Sequence, residues 1–331
     1  MKISDIAKIA GVSKATVSRV LNNSSDVKEE TKLKIKEIIE KYNYYPNAVA
    51  RNLSKRENTT VAVVVPDIED PFFSGIVKGI IESSDLLGLN VILCVSNESL
   101  EKEEENIKML IEHRVKGIIL IPTKRKYTDP KKYELYREKV PIILVDRKIN
   151  DSFNGIYIDN EKMAYNAAKI LIKKVKHGRE IGIITGPLEN KNAKDRYNGF
   201  VRAINETEIN VNDTVKYEGD FSLDSGYSIS KEVLYNRELK ALFISNNMMT
   251  LGFISGIVEK NPKFINKLLL FSFEQVNNLE KFKLPIINYN INFKEIGSRS
   301  LEYLIDYIDG KECRKEVLLE FSLKNRGIIH E

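Results

Sequence analysis

The sequence predicts an α/β protein in which a small helical N-terminal module precedes a two-lobed body built on parallel sheets. From Val61 onward, short apolar runs alternate with helical patterns, which is typical of buried parallel strands. After Asn160 the same alternation starts again, so two similar lobes are expected. Before Val61 the apolar residues recur with a helical period instead. With 331 residues and 42% apolar content, the chain is long enough for two or three buried cores.

The net charge divides the chain at the same place. The first sixty residues hold twelve Lys and Arg against seven Asp and Glu, whereas the other 271 hold forty of each. The whole net charge of +5 therefore lies in the small N-terminal module. Because DNA is a dense line of phosphates, a compact basic module joined to a neutral body indicates a nucleic-acid contact that the body controls.

The N-terminal module is predicted to contain three helices. Apolar residues at Ile3, Ile6, Ala7 and Ala10 form the stripe of a first amphipathic helix, and Gly11 ends it because glycine tolerates the left-handed conformation. The apolar stripe of a third helix is expected to close the core and comprises Leu33, Ile35, Ile38, Ile39 and Tyr42. Helix, tight turn and helix at the start of this module predict a helix-turn-helix.

The second helix is predicted over residues 14–21, and Ser13 is placed to cap it by accepting a free backbone amide. Val17, together with Val20 or Leu21, is expected to face the core. The polar side chains between them have the lengths needed to reach bases and phosphates, and they are Lys14, Thr16, Ser18 and Arg19.

The segment from Asp5 to Asn22, DIAKIAGVSKATVSRVLN, closely resembles the headpiece of lactose-repressor-like (LacI/GalR) transcription regulators. The resemblance implies that Lys14, Ala15 and Arg19 face base edges in the major groove. It implies phosphate contacts for four other residues, which are Ser13, Thr16, Ser18 and Asn22. The alternative is a generic three-helix module that binds another protein.

Residues 46–54 are predicted as a short hinge helix. Pro46 is a favourable first residue of a helix. The one or two turns that follow are too short to be stable alone in water, so this helix is expected to fold only when it docks on a partner. By the resemblance, Leu53 enters a base step in the minor groove, with Ala50 packing beside it and Asn47 on about the same face. The alternative is an interdomain linker whose Leu53 packs on the body.

In the body, Asp67, Asp146, Asn246 and Glu274 each follow a predicted buried strand. Ligands of open α/β sheets bind beyond the carboxyl ends of the strands, so these side chains are expected to face one cleft. Carboxylates and amides joined by an arginine suit a polyhydroxyl ligand, because paired hydrogen bonds to neighbouring hydroxyls fix its orientation. Phenylalanine rings can supply a flat face for a sugar ring or a nucleobase.

The resemblance covers nearly the entire chain and implies a periplasmic-binding-protein-like body. Carried over residue by residue, it assigns nine residues to an effector cleft, which are Phe72, Phe73, Asp146, Asn190, Asn192, Arg196, Phe221, Asn246 and Glu274. Asn190 and Asn192 are assigned to a loop. Where the family usually has Asn-Asp this chain has Asn246-Asn247, and where it usually has Phe-Asp-Asp it has Phe273-Glu274-Gln275. Both departures indicate an effector that is smaller than, or different from, a plain hexose.

Each residue of the predicted cleft also has a structural alternative. Asp67 and Asp146 could cap helices or loops, and Arg196 could form a structural ion pair. Phe72 and Phe73 could belong to the core of the first lobe.

The sequence predicts a headpiece with its hinge helix over residues 1–56 and an effector-binding and dimerisation domain over residues 57–331. The body is expected to divide near residue 158, and the chain is expected to cross back between the lobes near its end. The predicted first lobe comprises residues 61–158 and 292–315, and the predicted second lobe comprises residues 159–291 and 316–331.

The functional prediction is a repressor that binds pseudo-palindromic operator DNA as a homodimer and responds to a sugar or sugar derivative. A solute-binding module and a nucleobase-responsive regulator remain as alternatives. No phosphate-binding loop, HExxH or GxSxG pattern occurs, so no enzyme is expected. With two cysteines far apart and three histidines, no metal or cofactor is predicted. A cytoplasmic protein without a membrane contact is expected, since no long apolar run occurs.

Overall fold

A computed structural model describes the parts of the chain that follow: residues 2–21, 24, 26–43, 58–124, 129–276, 284–319 and 321–324. The chain forms two compact units, Met1–Asn58 and Thr59–Glu331, which differ by two residues from the boundary predicted at residue 56. The predicted hinge helix lies outside the described residues. So do four residues predicted to bind DNA, which are Asn22, Asn47, Ala50 and Leu53.

The described residues of the first unit form three helices, α1 (Ile3–Ala10), α2 (Lys14–Leu21) and α3 (Glu29–Lys41). Gly11 follows α1 with φ of 72°, the left-handed conformation that favours glycine, and the turn leads directly into α2. The first residues of α2 are capped as predicted, because the Thr16 amide donates to Ser13 Oγ at 3.1 Å. The three helices enclose a core of seven buried residues, namely Ile6, Ala7, Ala10, Val17, Val20, Val27 and Ile35.

Two residues predicted for this core are exposed, so that part of the prediction is wrong. Leu33 is 58% exposed and Tyr42 is 45% exposed, whereas Ile35 is fully buried. Leu33 precedes Ile35 by two residues, which places it on the opposite side of a helix with 3.6 residues per turn. Tyr42 follows Lys41, the last residue of α3, and so lies beyond the helical stripe.

The first lobe of the second unit is a six-stranded sheet in the order β11-β5-β4-β3-β1-β2, in which all neighbouring strands are parallel. Its strands are β1 (Thr60–Val65), β2 (Asn90–Val95), β3 (Ile118–Leu120), β4 (Ile142–Val145), β5 (Gly155–Ile158) and β11 (Glu316–Leu319). Its helices are α4 (Pro71–Leu86), α5 (Leu100–Glu112), α6 (Pro130–Lys139) and α11 (Phe293–Ile308). Strands β1, β3, β4 and β5 are almost entirely buried, as expected for a sheet covered on both faces.

The second lobe is also a six-stranded sheet, in the order β12-β10-β9-β8-β6-β7, with β12 antiparallel to β10. Its strands are β6 (Ile181–Thr185), β7 (Val215–Glu218), β8 (Ala241–Ile244), β9 (Leu269–Ser272), β10 (Ile286–Tyr289) and β12 (Leu323–Lys324). Its helices are α7 (Asn160–Ile172), α8 (Lys191–Asn205), α9 (Leu223–Val233) and α10 (Asn247–Lys260). Short 3-10 turns occur at Gly178–Glu180, Val211–Asp213 and Pro262–Lys267. Two such lobes after a helical unit confirm the predicted fold class.

The end of the chain differs from the prediction, which placed residues 316–331 together in the second lobe. Strand β11 pairs with β5 in the first sheet, with Val317 opposite Ile156, and β12 pairs with β10 in the second sheet. Residues 316–319 therefore belong to the first lobe, and the chain crosses after Leu319. The apolar sequence of residues 316–319 would suit an edge strand of either sheet. Only its pairing with the open edge of β5 shows that it belongs to the first.

Within the described residues, none of the helices combines the length and apolar character that crossing a bilayer requires.

Candidate functional site

A cavity of about 260 Å³ lies between the two lobes. All nine residues predicted for an effector cleft line it: Phe72, Phe73, Asp146, Asn190, Asn192, Arg196, Phe221, Asn246 and Glu274. The Asp67 side chain, identified from its position after β1, lines it too. The carboxyl ends of the parallel strands open on this cavity, as expected for α/β sheets.

The strand ends place three of the polar side chains. Asp146 directly follows β4, while Asn246 and Glu274 each stand two residues after β8 and β9. Asp146 has φ of 65°, a left-handed conformation that Asp tolerates better than most residues. The alternative role of Asp146 as a helix cap is not seen among the described helices. Its side chain is 7% exposed, and its Oδ2 lies 3.7 Å from Arg147 Nε.

Of the two residues predicted to lie in a loop, Asn190 is the last loop residue before α8, whereas Asn192 lies in the helix, so the prediction is wrong for Asn192. Asn190 is the N-cap of α8, and its Oδ1 accepts from the Ala193 amide at 3.2 Å. Asn192 is the second residue of the helix, and its Nδ2 donates to Asp146 Oδ1 at 3.2 Å. Asn190 is a favourable residue for beginning a helix, so α8 begins beside the cavity. Asn192, in the first turn of α8, therefore lies close enough to contact Asp146 of the first lobe.

Arg196 is both a lining residue and the centre of a buried polar network. It is 4% exposed, its Nη2 lies 3.2 Å from Glu274 Oε1, and its Nε donates to Asn160 Oδ1 at 2.7 Å. Its Nη1 donates to the Ser245 carbonyl. The guanidinium carbon also lies 3.8 Å from the centre of the Phe273 ring. The predicted ion pair and the predicted place in the cleft are therefore both present.

Among the residues that the structure describes, the lining contains six carboxylates against three cations, so acceptors exceed positive charges in this part of the cavity. Burial raises the pKa of Glu274 to about 7, and Arg196 offsets only part of that rise. Burial likewise raises the pKa values of Asp70 and Asp146. Removing these carboxylates from water is costly, which favours a bound group that donates hydrogen bonds to them.

The aromatic residues lie on both sides of the cavity. Phe72 and Phe73 contact each other edge to face at 5.2 Å and are only 4% and 6% exposed, so they also belong to the core of the first lobe. Phe221 is half-buried and has φ of 73°, which is strained for a large side chain. A Cβ at Gly186 would lie 2.1 Å from its ring, so only glycine leaves room for Phe221 there.

Eight lining residues were not among the predicted site residues: Asp70, Glu98, Lys124, Arg147, Asp220, Ser222, Leu223 and Met248. Arg147 and Glu98 form an ion pair at 3.1 Å. The signal for Arg147 was its position directly after Asp146. Glu98 stands three residues after β2, so the rule that identified the other strand ends could have found it as well.

The second helix of the first unit exposes the side chains predicted to contact DNA. Lys14, Ala15 and Arg19 are exposed, and Thr16 and Ser18 are partly exposed. The core side of the helix consists of Val17 and Val20, which are 0% and 4% exposed. Ser13 and Thr16 bond to each other through their hydroxyl oxygens at 2.9 Å. The DNA roles of these side chains stay a prediction.

Comparison with known families gives two matches along the chain. Residues 2–47 match the lacI family of bacterial regulatory proteins, and residues 61–274 match a periplasmic binding protein domain. The HTH-type transcriptional repressor PurR of Pasteurella multocida (strain Pm70) is 30% identical over 335 residues, which covers 98% of this chain and 99% of the relative.

Two solved structures share the fold over 98% of this chain and 98% of their own. The lac repressor dimer bound to operator and the anti-inducer ONPF has a TM-score of 0.83 at 24% identity. The complex of the transcriptional regulator CelR with cellobiose has a TM-score of 0.70 at 25% identity. Together with the family matches, these findings identify the chain as a DNA-binding transcriptional repressor that belongs to the lacI family.

Proposed function

We propose that a small polyhydroxyl effector, a sugar or a sugar derivative, binds between the lobes and controls the affinity of this repressor for its operator. The observation that carries the proposal is the convergence of nine predicted polar and aromatic side chains on one cavity. Ligand affinity and operator affinity are then linked, so whatever changes one changes the other. A protein that binds operator DNA acts in the cytoplasm, which is the location we infer.

The chemistry of the lining supports a neutral ligand rich in hydroxyl groups. Hydroxyls can donate to the oxygens of Asp67, Asp70 and Asp220, for which the described residues provide no ion-pair partner within 4.0 Å. An additional phosphate on the ligand would meet an excess of carboxylates. The half-buried ring of Phe221 offers a flat face to the C–H side of a sugar. A cavity of about 260 Å³ suits a ligand of monosaccharide size.

A nucleobase is the second candidate, and the aromatic wall is what favours it. A planar ring can stack on Phe221, and amide side chains such as Asn190 can pair with its edge. The relation to the CelR structure with bound cellobiose supports the sugar class instead.

The test is a thermal-shift screen of the full chain against neutral monosaccharides, their phosphates and nucleobases. A ligand that prefers the folded state raises the melting temperature. At one hundred times its Kd, such a ligand increases the free energy of unfolding by about 2.7 kcal/mol. We expect a neutral sugar to do so, and Phe221→Ala to abolish the shift. Ser228→Ala, on an exposed face of α9, is the matched control. A shift with sugar phosphates alone would contradict the charge argument, and a shift with nucleobases alone would establish the second candidate.

We infer that α2 reads the operator, with Lys14, Ala15 and Arg19 at base edges and the hydroxyls of Ser13, Thr16 and Ser18 at phosphates. The hinge residues Asn47, Ala50 and Leu53, together with Asn22, are proposed to complete the contact. The exposure of Lys14 and Arg19 on α2 supports these roles.

Alanine substitution tests the base-reading roles. Lys14→Ala and Arg19→Ala should each reduce discrimination between operator and scrambled DNA by about 1–3 kcal/mol, because each removes a contact to a base edge. Lys36→Ala, an exposed lysine on α3, removes the same charge elsewhere and should weaken both duplexes equally. Gel-shift titration measures both. Equal losses on the two duplexes for Lys14→Ala and Arg19→Ala would contradict the assignment.

We further propose a homodimer that binds a pseudo-palindromic operator, since one headpiece reads only a few base pairs. Exposed apolar side chains near the end of α4 and on the edge strand β2 support it, and they are Ile81, Leu86, Leu87 and Leu93. Leu86→Glu should yield monomers in analytical ultracentrifugation, whereas Leu135→Glu on α6 should not. Dimers that persist in the Leu86→Glu variant would contradict this interface.

A further inference from the structure

Asn247 stands where the family pattern usually has an aspartate, and it contacts one carboxylate from each lobe. Its backbone amide donates to Glu274 Oε2 at 3.2 Å, and its Nδ2 donates to Asp70 Oδ1 at 3.0 Å. Asp70 is the N-cap of α4 in the first lobe, whereas Glu274 follows β9 in the second. Asn247 is 3% exposed, so this bridge between the lobes is shielded from water.

The orientation of the Asn247 side chain is fixed by its other bond. Its Oδ1 accepts from the Met248 amide at 2.7 Å, which leaves the nitrogen to face Asp70. Only this orientation satisfies both neighbours, because an amide N–H can only donate and an ionised carboxylate can only accept. Asp70 Oδ1 also accepts from the Phe72 amide at 2.8 Å, so the same oxygen caps α4 and meets the second lobe.

A second bond of the same kind crosses between the lobes at Asp146. Asn192 Nδ2 donates to Asp146 Oδ1 at 3.2 Å and lies 3.3 Å from its backbone oxygen. In both places an asparagine at the start of a second-lobe helix meets an aspartate of the first lobe. An aspartate at position 247 would instead bring two buried carboxylates together, a contact that disfavours the charged form of both.

We propose that Asn247 is a positioning residue that holds the two lobes together in the absence of effector, by joining Asp70 to the second lobe. The inference rests on the proposed function, since the cavity concerned is the one assigned to the effector. The Asp70–Asn247 bond is the contact that we propose keeps this cavity closed. Opening the cavity then requires the Asp70–Asn247 bond to break. Because lobe closure and operator affinity are linked, a change at Asn247 also changes operator affinity without any effector.

The experiment measures the distance between the lobes in the unliganded full chain by double electron–electron resonance between two spin labels. Spin labels are attached at Glu101→Cys on α5 and Ser228→Cys on α9, both exposed positions. The half-exposed Cys313 is replaced by serine, and the buried Cys94 is kept. Labelled chains are diluted with unlabelled chains, so that only the distance within one chain is recorded.

Three variants of the bridge are compared with this labelled parent. Asn247→Asp should shift the distance distribution to longer values, because two carboxylates then face each other. Asp70→Asn is the matched control and should keep the parental distance, since its amide oxygen can still accept from Asn247. The double variant, Asp70→Asn with Asn247→Asp, leaves a single carboxylate in the bridge and should return toward the parental distance. A parental distance in Asn247→Asp, or a double variant as open as Asn247→Asp alone, would overturn the proposal.

Folding is checked for each variant by circular dichroism. If Asn247→Asp does not fold, Asn247→Ala replaces it, because alanine removes the donor without adding a charge. Asn247→Ala should also shift the distance to longer values, and an unchanged distance would overturn the proposal. No effector is added at any step, so failure of the sugar screen would remove the proposed ligand class without altering this measurement.

Discussion

The two walls of the cavity are held in different ways. In the second lobe the polar groups bond to one another, since Arg196 pairs with Glu274 and Asn246 Nδ2 donates to the Phe221 carbonyl at 2.9 Å. In the first lobe, the Glu69 amide of the same loop, at 2.8 Å, is the one donor to Asp67 Oδ1 among the described residues. Asp70 takes its remaining partner from the second lobe. The first lobe has its own Arg147–Glu98 ion pair, but Asp67 and Asp70 depend on their own loop, the α4 cap and the second lobe. The second-lobe wall is thus preorganised, whereas the aspartates of the first-lobe wall are completed by contact with the second.

This difference explains why a strained residue is tolerated on the second wall. The left-handed backbone of Phe221 is fixed by the bond from Asn246, which also caps α10 by accepting from the Met249 amide at 3.0 Å. Gly186 leaves the space that the Phe221 ring fills. Strain of this kind persists only where the surroundings over-determine the conformation, which is common at ligand sites. Substitutions in the second wall should therefore affect stability most.

The largest effect is expected for Arg196→Met. Removing the guanidinium leaves the buried Glu274 carboxylate unpaired, which should lower the free energy of unfolding of the body by about 3–5 kcal/mol. Urea denaturation followed by circular dichroism measures it. Adding Glu274→Gln should recover part of the loss, because no buried charge then remains to be paired.

Arg202→Met on the same helix is the control for this experiment. Arg202 is paired with Glu161, but both side chains are more than 40% exposed, so its loss should cost at most about 1 kcal/mol. If Arg196→Met cost no more than Arg202→Met, the preorganised network of the second wall would not be a source of stability.

The next effect is a pH dependence caused by Glu274. Its pKa is about 7 in the folded protein against 4.5 ordinarily, so the folded state keeps a proton that the unfolded state has lost between these values. The free energy of unfolding should therefore fall as the pH rises from about 4.5 to 7, by up to about 1.4 kcal/mol for each pKa unit. Glu274→Gln should lack this component. Urea titrations at several pH values, with the two proteins compared at each, test it, and parallel pH profiles would rule it out.

Gly186→Ala should have a smaller effect on stability. The added methyl would lie 2.1 Å from the Phe221 ring, and displacing that ring should cost about 1–3 kcal/mol and weaken binding of the sugar found in the thermal-shift screen. In a Phe221→Ala background the ring is absent, so Gly186→Ala should then cost little. Urea denaturation of the two single variants and the double variant measures this coupling. Additive losses would show that the ring does not depend on the space at Gly186.

The sequence predicts one part of this site from simple geometry and leaves another part open. Asp146, Asn246 and Glu274 could be found because parallel strands buried on both faces must end at one edge of the sheet. Arg196 and Phe221 lie on helices and loops, and only the family resemblance pointed to them. The contact between Asn247 and Asp70 could not be predicted, since it joins residues 177 positions apart and depends on how closely the lobes approach.

The prediction failed for the last strands for a related reason. An apolar run after α11 fits the edge of either sheet, and pairing with β5 or β10 is a tertiary choice that periodicity does not encode. In the helical unit, the same limit applies to Leu33 and Tyr42. Their apolar character suggested core positions, but the phase and the end of α3 placed them at the surface.

The smallest effect on stability is expected for Asp67→Asn in the first wall. The Asn side-chain oxygen can accept the same bond from the Glu69 amide, so the free energy of unfolding should change by no more than about 0.5 kcal/mol. Affinity for a neutral sugar should change by less than about tenfold, because one neutral hydrogen bond contributes about 1 kcal/mol. Urea denaturation and isothermal titration calorimetry measure the two quantities. A stability loss as large as that of Arg196→Met would mean that the first wall is as preorganised as the second. The carboxylates of the first wall would then stabilise their own lobe and would not depend on contact with the second lobe or a ligand.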